Sequence, residues 1–311
     1  MRKTKNEEII AGYVYQHDLT IKEVKNEKSA NFGKPFISGT LDVAVNEDGT
    51  NVIKTHYTYV APTTKNGSEN RTYKVLEKII DTNQTWVSVG KDKAIKVKLT
   101  PSLDVNDFYT SNGNGEDELI SAKRNEGGFA EIITEIPKDT NSFKFDMLIT
   151  GMKDVEANEE RHIDEHSILH GAIFNFRGEI LPVELAIYTE AGRDYFASQD
   201  ISSKNPCFTQ VWGKIDWTTH MEQIETESAF GEALVREVPR GHKQWIVTGA
   251  LAVPYDFGDE AAITEDEVVE KMQQRNVKLA EAKAQREEYL KNRNSQAAPA
   301  TTPIQNTGFN F

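Results

Sequence analysis

One pattern occurs twice along this chain. Residues 35–60 begin Pro35-Phe36-Ile37-Ser38-Gly39, continue to Val45, turn at Asn46 to Gly49 and return from Val52 to Val60. Residues 167–188 repeat the plan, with Gly171 near the start, a turn at Arg177-Gly178 and a return from Ile180 to Tyr188. Apolar stretches broken by a polar or glycine turn mark a β-hairpin, and a glycine early in the first strand lets a strongly coiled strand bend. A strand-like segment precedes each hairpin, Ile9 to Val24 in the first copy and Phe143 to Gly151 in the second. Three meandering strands with a bent start open a small Greek-key barrel, so the pattern predicts two related modules in tandem. A chain of 311 residues is about twice a typical domain, which fits.

The segments that follow complete the plan. Tyr73, Val75, Leu76, Ile79 and Ile80 cluster at helical spacing. A helix after the third strand, plugging the barrel end before strands four and five, is the layout of an oligonucleotide-binding (OB) barrel. Those strands are expected at Ala94 to Leu99 and Gly128 to Ile133, with Thr110 to Glu118 as a long exposed acidic loop. In the second copy they are expected at Cys207 to Ile215 and Lys243 to Val253, with Trp212 and Trp245 in the core. The stretch Asp216 to Gly241, with Glu222, Glu225 and Glu227, is expected to hold a helix or loop insertion. Thr264 and Glu267 form a capping box that opens a helix to about Arg293, whose apolar residues are too sparse for more than weak docking or a partner contact. The expected fold is therefore mainly β: a first OB-like barrel at 1–140, a second, acidic one at 141–259, a C-terminal helix at 260–294 and a disordered tail at 295–311.

Charge is distributed unevenly. The net charge of -13 argues against nucleic acid as a whole, because phosphate binding needs lysine and arginine. Residues 1–100, however, hold 16 basic against 12 acidic residues, whereas residues 101–260 hold 13 against 30. The first barrel can therefore carry a phosphate face and the second would repel DNA.

No enzyme signature is present: no Walker A lysine loop, no GxSxG elbow and no GxGxxG entering a helix. His162 and His166 have helical spacing, but Ile163 stands where a metalloprotease needs its glutamate. Asn112 to Glu118 lacks the ligand order of a calcium loop, and Cys207 is a lone cysteine. A non-enzymatic protein with no cofactor and no metal is expected. There is no apolar run of membrane-spanning length, and residues 1–8 lack the apolar core of a signal peptide, so no membrane contact and a bacterial host cytoplasm are expected.

Aromatic residues at spacing two are the better lead. Tyr13 and Tyr15 share one strand face, as do Tyr57 and Tyr59, with Lys54 close in sequence. Barrels that bind single strands stack bases on such rings while lysine and arginine track phosphates. Phe32 and Lys34 fall in the loop between strands one and two, and alternation puts Lys96 and Lys98 on one face of strand four. Against this stands packing of the tyrosines on the core or a neighbouring domain, hydroxyls at the rim. In the second copy Phe174 and Phe176 alternate likewise, beside Arg177.

Residues 295–311 have the Pro/Ala/Thr/Gln composition of a linker and end in Phe309 and Phe311. A barrel with strand aromatics, an acidic stretch and a C-terminal extension ending in phenylalanine resembles the OB-fold single-stranded-DNA-binding proteins of phages and viruses. The resemblance implies sequence-independent binding of single-stranded DNA during replication, recombination or repair, and recruitment of replication or recombination proteins through Phe309 and Phe311. It departs from that family in one respect, since residues 295–311 carry no charge. The competing expectation is a phage structural or assembly adaptor built on the same barrels; either is compatible with a homo-oligomer.

Overall fold

The structure, a computed structural model, describes residues 4–112, 117–158, 163–226, 230, 234–257 and 263–295. The first half comprises β1 (Asn6–His17), β2 (Thr20–Glu23), β3 (Pro35–Ala44), β4 (Val52–Val60), helices α1 (Arg71–Thr82) and α2 (Trp86–Val89), β5 (Lys96–Ser111) and β6 (Asp117–Ile132). Pairing runs β1–β3–β4–β6–β5 and returns to β1, antiparallel throughout except the parallel pair β4–β6. Setting aside the short edge strand β2, this is a closed five-stranded circuit with the third and fifth strands side by side, the order of an OB barrel. Its interior is filled by alternate residues such as Val14, Leu41, Ile53, Val97 and Leu99. Asn70 caps α1 by accepting from the Thr72 amide at 3.1 Å, and the helix buries Tyr73, Leu76 and Ile79. Each such side chain taken from water contributes ~1.5–3 kcal/mol.

The second half repeats the circuit. It comprises β7 (Asn141–Val155), β8 (His166–Phe174), β9 (Ile180–Ile187), α3 (Glu190–Ala197), β10 (Cys207–Asp216), β11 (Thr219–Thr226), β12 (Leu234–Gly241), β13 (Gln244–Ala250) and the helix α4 (Glu265–Ser295). Pairing runs β7–β8–β9–β13–β10 and back to β7, again with the third and fifth strands parallel. The two early glycines act as the repeat suggested. Gly39 has φ +135, and the β3–β4 register shifts between Ile37 and Gly39. A Cβ on Gly171 would lie 2.1 Å from the Leu148 carbonyl oxygen, so only glycine permits the close approach of β8 to β7.

Both circuits belong to one eleven-stranded sheet, because β1 pairs with β7 through Asn6 to Ile10. The seam holds a buried polar contact in which Trp245 Nε1 donates to Glu8 Oε1 at 2.8 Å. A bridge between Asn51 and Thr218 ties the turn of the first barrel to the start of the β11–β12 hairpin.

Three expectations need correction. The Thr110 to Glu118 stretch is not a long loop: β5 runs to Ser111 and β6 starts at Asp117, forming a long two-stranded arm; residues 113–116 lie outside the described residues. Pairing in continuous register, from Ser102 opposite Glu126 to Ser111 opposite Asp117, satisfies the arm's backbone despite its polar sequence. The 216–241 insertion is the β11–β12 hairpin. Trp212 is not core: it is 37% exposed and lies over Gly249, where a Cβ would meet its ring nitrogen at 2.5 Å. The capping box is present, with Glu267 N donating to Thr264 Oγ1 at 3.2 Å and Thr264 N to Glu267 Oε2 at 2.9 Å. Residues 296–311, and with them Phe309 and Phe311, lie outside the described residues, as does His162.

Candidate nucleic-acid interface

In OB barrels, strands two and three together with the loops after strands one and four form the ligand face. In the first barrel the loop after strand one is the segment from Asp18 to Lys34. Val24 N donates to the Lys34 carbonyl at 3.1 Å and Gly33 N to the Val24 carbonyl at 3.0 Å, which prolongs the β2–β3 hairpin, and turns at Ser29–Phe32 and Asn31–Lys34 close its tip. Gly33 there has φ +73, a conformation that suits glycine. The tip leaves Phe32 54% exposed, and the adjoining β2 leaves Ile21 46% exposed. The same segment carries Lys22, Lys25, Lys28 and Lys34 against Asp18, Glu23 and Glu27, and no described carboxylate is within ion-pairing distance of any of the four lysines; Lys34 Nζ donates to Asn31 Oδ1 at 3.1 Å.

The neighbouring strand ends carry a ring pair. Phe36 on β3 stacks on Tyr59 of β4 with centroids 4.8 Å apart and planes at 29°, and Tyr59 keeps 46% of its surface exposed. Further along β3 and β4, and on the adjoining β6, the outer face is neutralised. Lys54 lies 3.8 Å from Asp42, and Arg124 lies 3.1 Å from Glu126. Burial, with Arg124 beside it, holds the pKa of His56 below its ordinary value. Free positive charge and free aromatic surface thus coincide at one end of the face.

The other residues singled out from the sequence lie elsewhere. Tyr57 is a correction: it is 2% exposed and belongs to the core, because the strand still faces the barrel interior at Tyr57 and leaves it by Tyr59. Tyr13 and Tyr15 form a separate cluster with Trp86 of α2, which meets Tyr13 edge-on at 5.6 Å and Tyr15 at 6.0 Å. Lys96, opposite Tyr13 in register, sits 5.6 Å over the Tyr13 ring, and Lys91, ion-paired with Glu47, lies 5.5 Å from it. Those rings seat α2 on the β1–β5 side of the barrel. Lys98 faces Glu131 across the β5–β6 pair. The structure therefore brings together Phe32, Lys34 and Tyr59 from the sequence-based set, and separates Tyr13, Tyr15, Lys96 and Lys98 from them.

The corresponding face of the second barrel is covered. Leu148, Ala172, Phe174, Ile180 and Phe208 alternate with core residues and form an outward apolar patch, over which pack Tyr255, Phe257, Ile263 and Val268. Phe176 at the β8–β9 turn is 84% exposed, with Arg177 5.2 Å from its ring.

The model that defines the YorF family matches residues 11–285, from within β1 to within α4. The chain belongs to the YorF family. The YorF match thus spans both barrels and most of the helix, rather than one module. None of the curated proteins matches the sequence. Among solved structures, a deletion mutant of the single-stranded DNA binding protein from Thermus aquaticus shows a loose similarity. Its TM-score is 0.43 at 10% identity, over 83% of this chain and 98% of that one.

Sequence reasoning overlooked Phe36 and Trp86 in this YorF-family chain. Phe36 has no aromatic neighbour at spacing two, and only the folded hairpin sets it against Tyr59. Trp86 had an available signal: Thr85 and Ser88 form a capping box around it, with Ser88 N donating to Thr85 Oγ1 at 3.1 Å. Among the described residues there is no His/Cys/Asp/Glu group that could hold a metal, and no helix is long and apolar enough to cross a membrane.

Proposed function

We propose that the protein is a non-enzymatic, sequence-independent single-stranded-DNA-binding protein whose first barrel takes the strand. The observation that carries this is the presence, on one hairpin of the strand two–three face, of exposed Phe32, the Phe36–Tyr59 stack and four lysines with no ion pair among the described residues. Unpaired bases present π-faces for such rings, whereas duplex bases do not, and the lysines neutralise phosphates. The second barrel supports the first through the shared sheet and has its own face closed.

Titration with fluorescent oligothymidine at two salt concentrations tests the reading. The protein is expected to bind single strands far more tightly than duplex, with a shallow salt dependence set by few lysines. Replacing both Phe32 and Tyr59 by Ala is expected to cost at least ~2 kcal/mol of binding free energy, from ~1–3 kcal/mol per stacked base, with the melting temperature unchanged. A wild-type protein that gives no shift in low salt sinks the proposal and leaves the adaptor.

The cellular role in DNA replication, recombination or repair belongs to the same proposal, as does recruitment of a partner protein through Phe309 and Phe311. Support comes from composition: Pro299 and Pro303 interrupt regular structure, and the two terminal rings have small polar neighbours. Deleting residues 296–311 is expected to leave oligothymidine affinity and thermal stability intact while abolishing capture of a replication or recombination protein. A drop of several degrees in melting temperature would instead place the tail on its own barrel.

A further inference from the structure

Helix α4 carries basic residues on one stripe. Lys271, Arg275, Lys278 and Arg286 follow at spacings of four, three and eight, which a 3.6-residue turn keeps within about a quarter of the circumference. Glu270, Glu281 and Glu288, eleven and seven apart, fall on a separate stripe. Lys283 and Lys291 fall off this stripe, so the four residues form a local basic face rather than a charge-sorted helix.

In this structure the anions are the chain's own. Arg275 Nη2 donates to Asp107 Oδ1 at 2.7 Å, Arg286 Nε to Asp117 Oδ1 at 2.8 Å, and Lys278 pairs with Glu179 at the β8–β9 turn. Arg286 also donates to Ser111 Oγ at 3.1 Å, so its guanidinium meets a carboxylate and a hydroxyl oxygen from facing residues of the arm. Asp107 is likewise set beside its cross-strand partner Ser121, which donates to it at 2.6 Å. Oxygens of this kind, presented to the guanidinium fork, match the charge and acceptor pattern of a phosphate. The spacing also fits: eleven residues of helix rise ~16 Å, and the four strand residues from Asp107 to Ser111 span ~13 Å.

Little besides charge holds the stripe down. Val268 packs on the apolar patch of the second barrel, but Val269, Met272, Val277 and Tyr289 are all exposed. Pairs near the surface, such as Lys278 at 63% exposure with Glu179, are worth ~0–1 kcal/mol each and weaken with salt. The Arg275–Asp107 and Arg286–Asp117 pairs are more buried, with side chains 12%/18% and 25%/17% exposed, so a polyanion gains those two arginines only by taking the place of the carboxylates.

We propose that the α4 stripe is a second phosphate-binding surface for single-stranded nucleic acid, held closed by the arm carboxylates Asp107 and Asp117 until the strand replaces them. The inference rests on the reading that the first barrel engages single-stranded DNA, and extends the strand's path beyond that barrel.

The test compares full-length wild type with Asp107→Asn/Asp117→Asn, which keeps the shape of the arm and removes its charge. The double variant is expected to bind a long oligothymidine about tenfold more tightly at low salt, with a salt slope steeper by ~1–2. Adding Arg275→Gln/Arg286→Gln should reverse both changes. The pair Glu190→Gln/Asp194→Asn on α3 removes equal charge from a helix that makes no described ion pair with α4, and should change neither. Glu179→Gln, which leaves the arm untouched and frees Lys278, should move affinity in the same direction as the arm variant, so a folding defect of the arm does not decide the outcome. Equal affinity of wild type and both carboxylate variants, or an equal gain from the α3 control, overturns the inference while the barrel reading stands. Binding by the arm variant alone, with none by wild type, supports the stripe and faults the barrel. No binding by any variant overturns both.

Discussion

Tyr57→Ala is expected to destabilise the protein by ~3–5 kcal/mol, the range for truncating a large aromatic ring in a packed core. The ring is 2% exposed and is surrounded by the interior of the first barrel, facing Gly39 across the β3–β4 pair. Its removal leaves a cavity that strands tied on both sides cannot collapse to fill. Tyr57→Phe separates the ring from its hydroxyl. That hydroxyl has no hydrogen-bond partner among the described residues and burial pushes its pKa up, so deleting it should be neutral or slightly stabilising. Tyr59→Ala, two residues away, should leave stability nearly unchanged and weaken oligothymidine binding. Urea melts and titrations on the three variants check the set. A Tyr57→Ala protein that melts like wild type but fails to bind would place this ring on the surface and undo the assignment.

The second large effect is a pH dependence centred on Glu8. This carboxyl is 1% exposed at the seam between barrels; Oε1 accepts from Trp245, and Oε2 has no partner among the described residues. Burial raises its pKa from an ordinary 4.5 to about 8, only partly opposed by the tryptophan hydrogen bond. The folded protein therefore holds a proton there that the unfolded chain releases. The stability this confers is complete below pH ~4.5, declines by ~1.4 kcal/mol per pH unit, and is gone once the pH passes about 8. Glu8→Gln keeps an acceptor for Trp245 and cannot ionise, so its stability should lack this decline. Lys123, whose pKa is lowered by burial at the same seam, titrates alike in both proteins. The difference between wild type and Glu8→Gln in urea melts at pH 5, 6.5 and 8 isolates the carboxyl. A difference that stays constant across the three would show that Glu8 is already ionised in the folded protein.

Much of the architecture is legible from local pattern. The two hairpins with early glycines, the amphipathic α1, and the Thr264–Glu267 capping box each depend on residues within a few positions of one another. Their structural consequences, alternation, burial of one helix face and reciprocal capping, follow from backbone geometry alone. The arm reads from sequence as a loop, and the conformation of the β11–β12 segment is not legible, because both sequences are polar and glycine-bearing. Pairing with a partner strand makes them strands, and no local signal carries that.

For the site, spacing two correctly put Tyr57 and Tyr59 on one strand but not on one surface. A register shift and the end of the barrel separate their environments, turning one ring into core and the other into exposed face. Tyr13 and Lys96 fall in the expected nucleic-acid face but meet each other through pairing of β1 with β5, and Tyr13 also meets Trp86. Phe36 came into view only because the β3–β4 hairpin stacks it on Tyr59.

The sequence by itself determined two barrel modules of like plan, the basic bias of the first and the helix that follows the second, since periodicity, turn chemistry and charge are properties of short segments. Only the tertiary structure decided which aromatic rings face solvent, that the second barrel's outer face is covered, and that Asp107 and Asp117 meet Arg275 and Arg286. Those outcomes depend on contacts between residues from about twenty to more than a hundred and sixty positions apart, set by strand closure and sheet register rather than by any local preference.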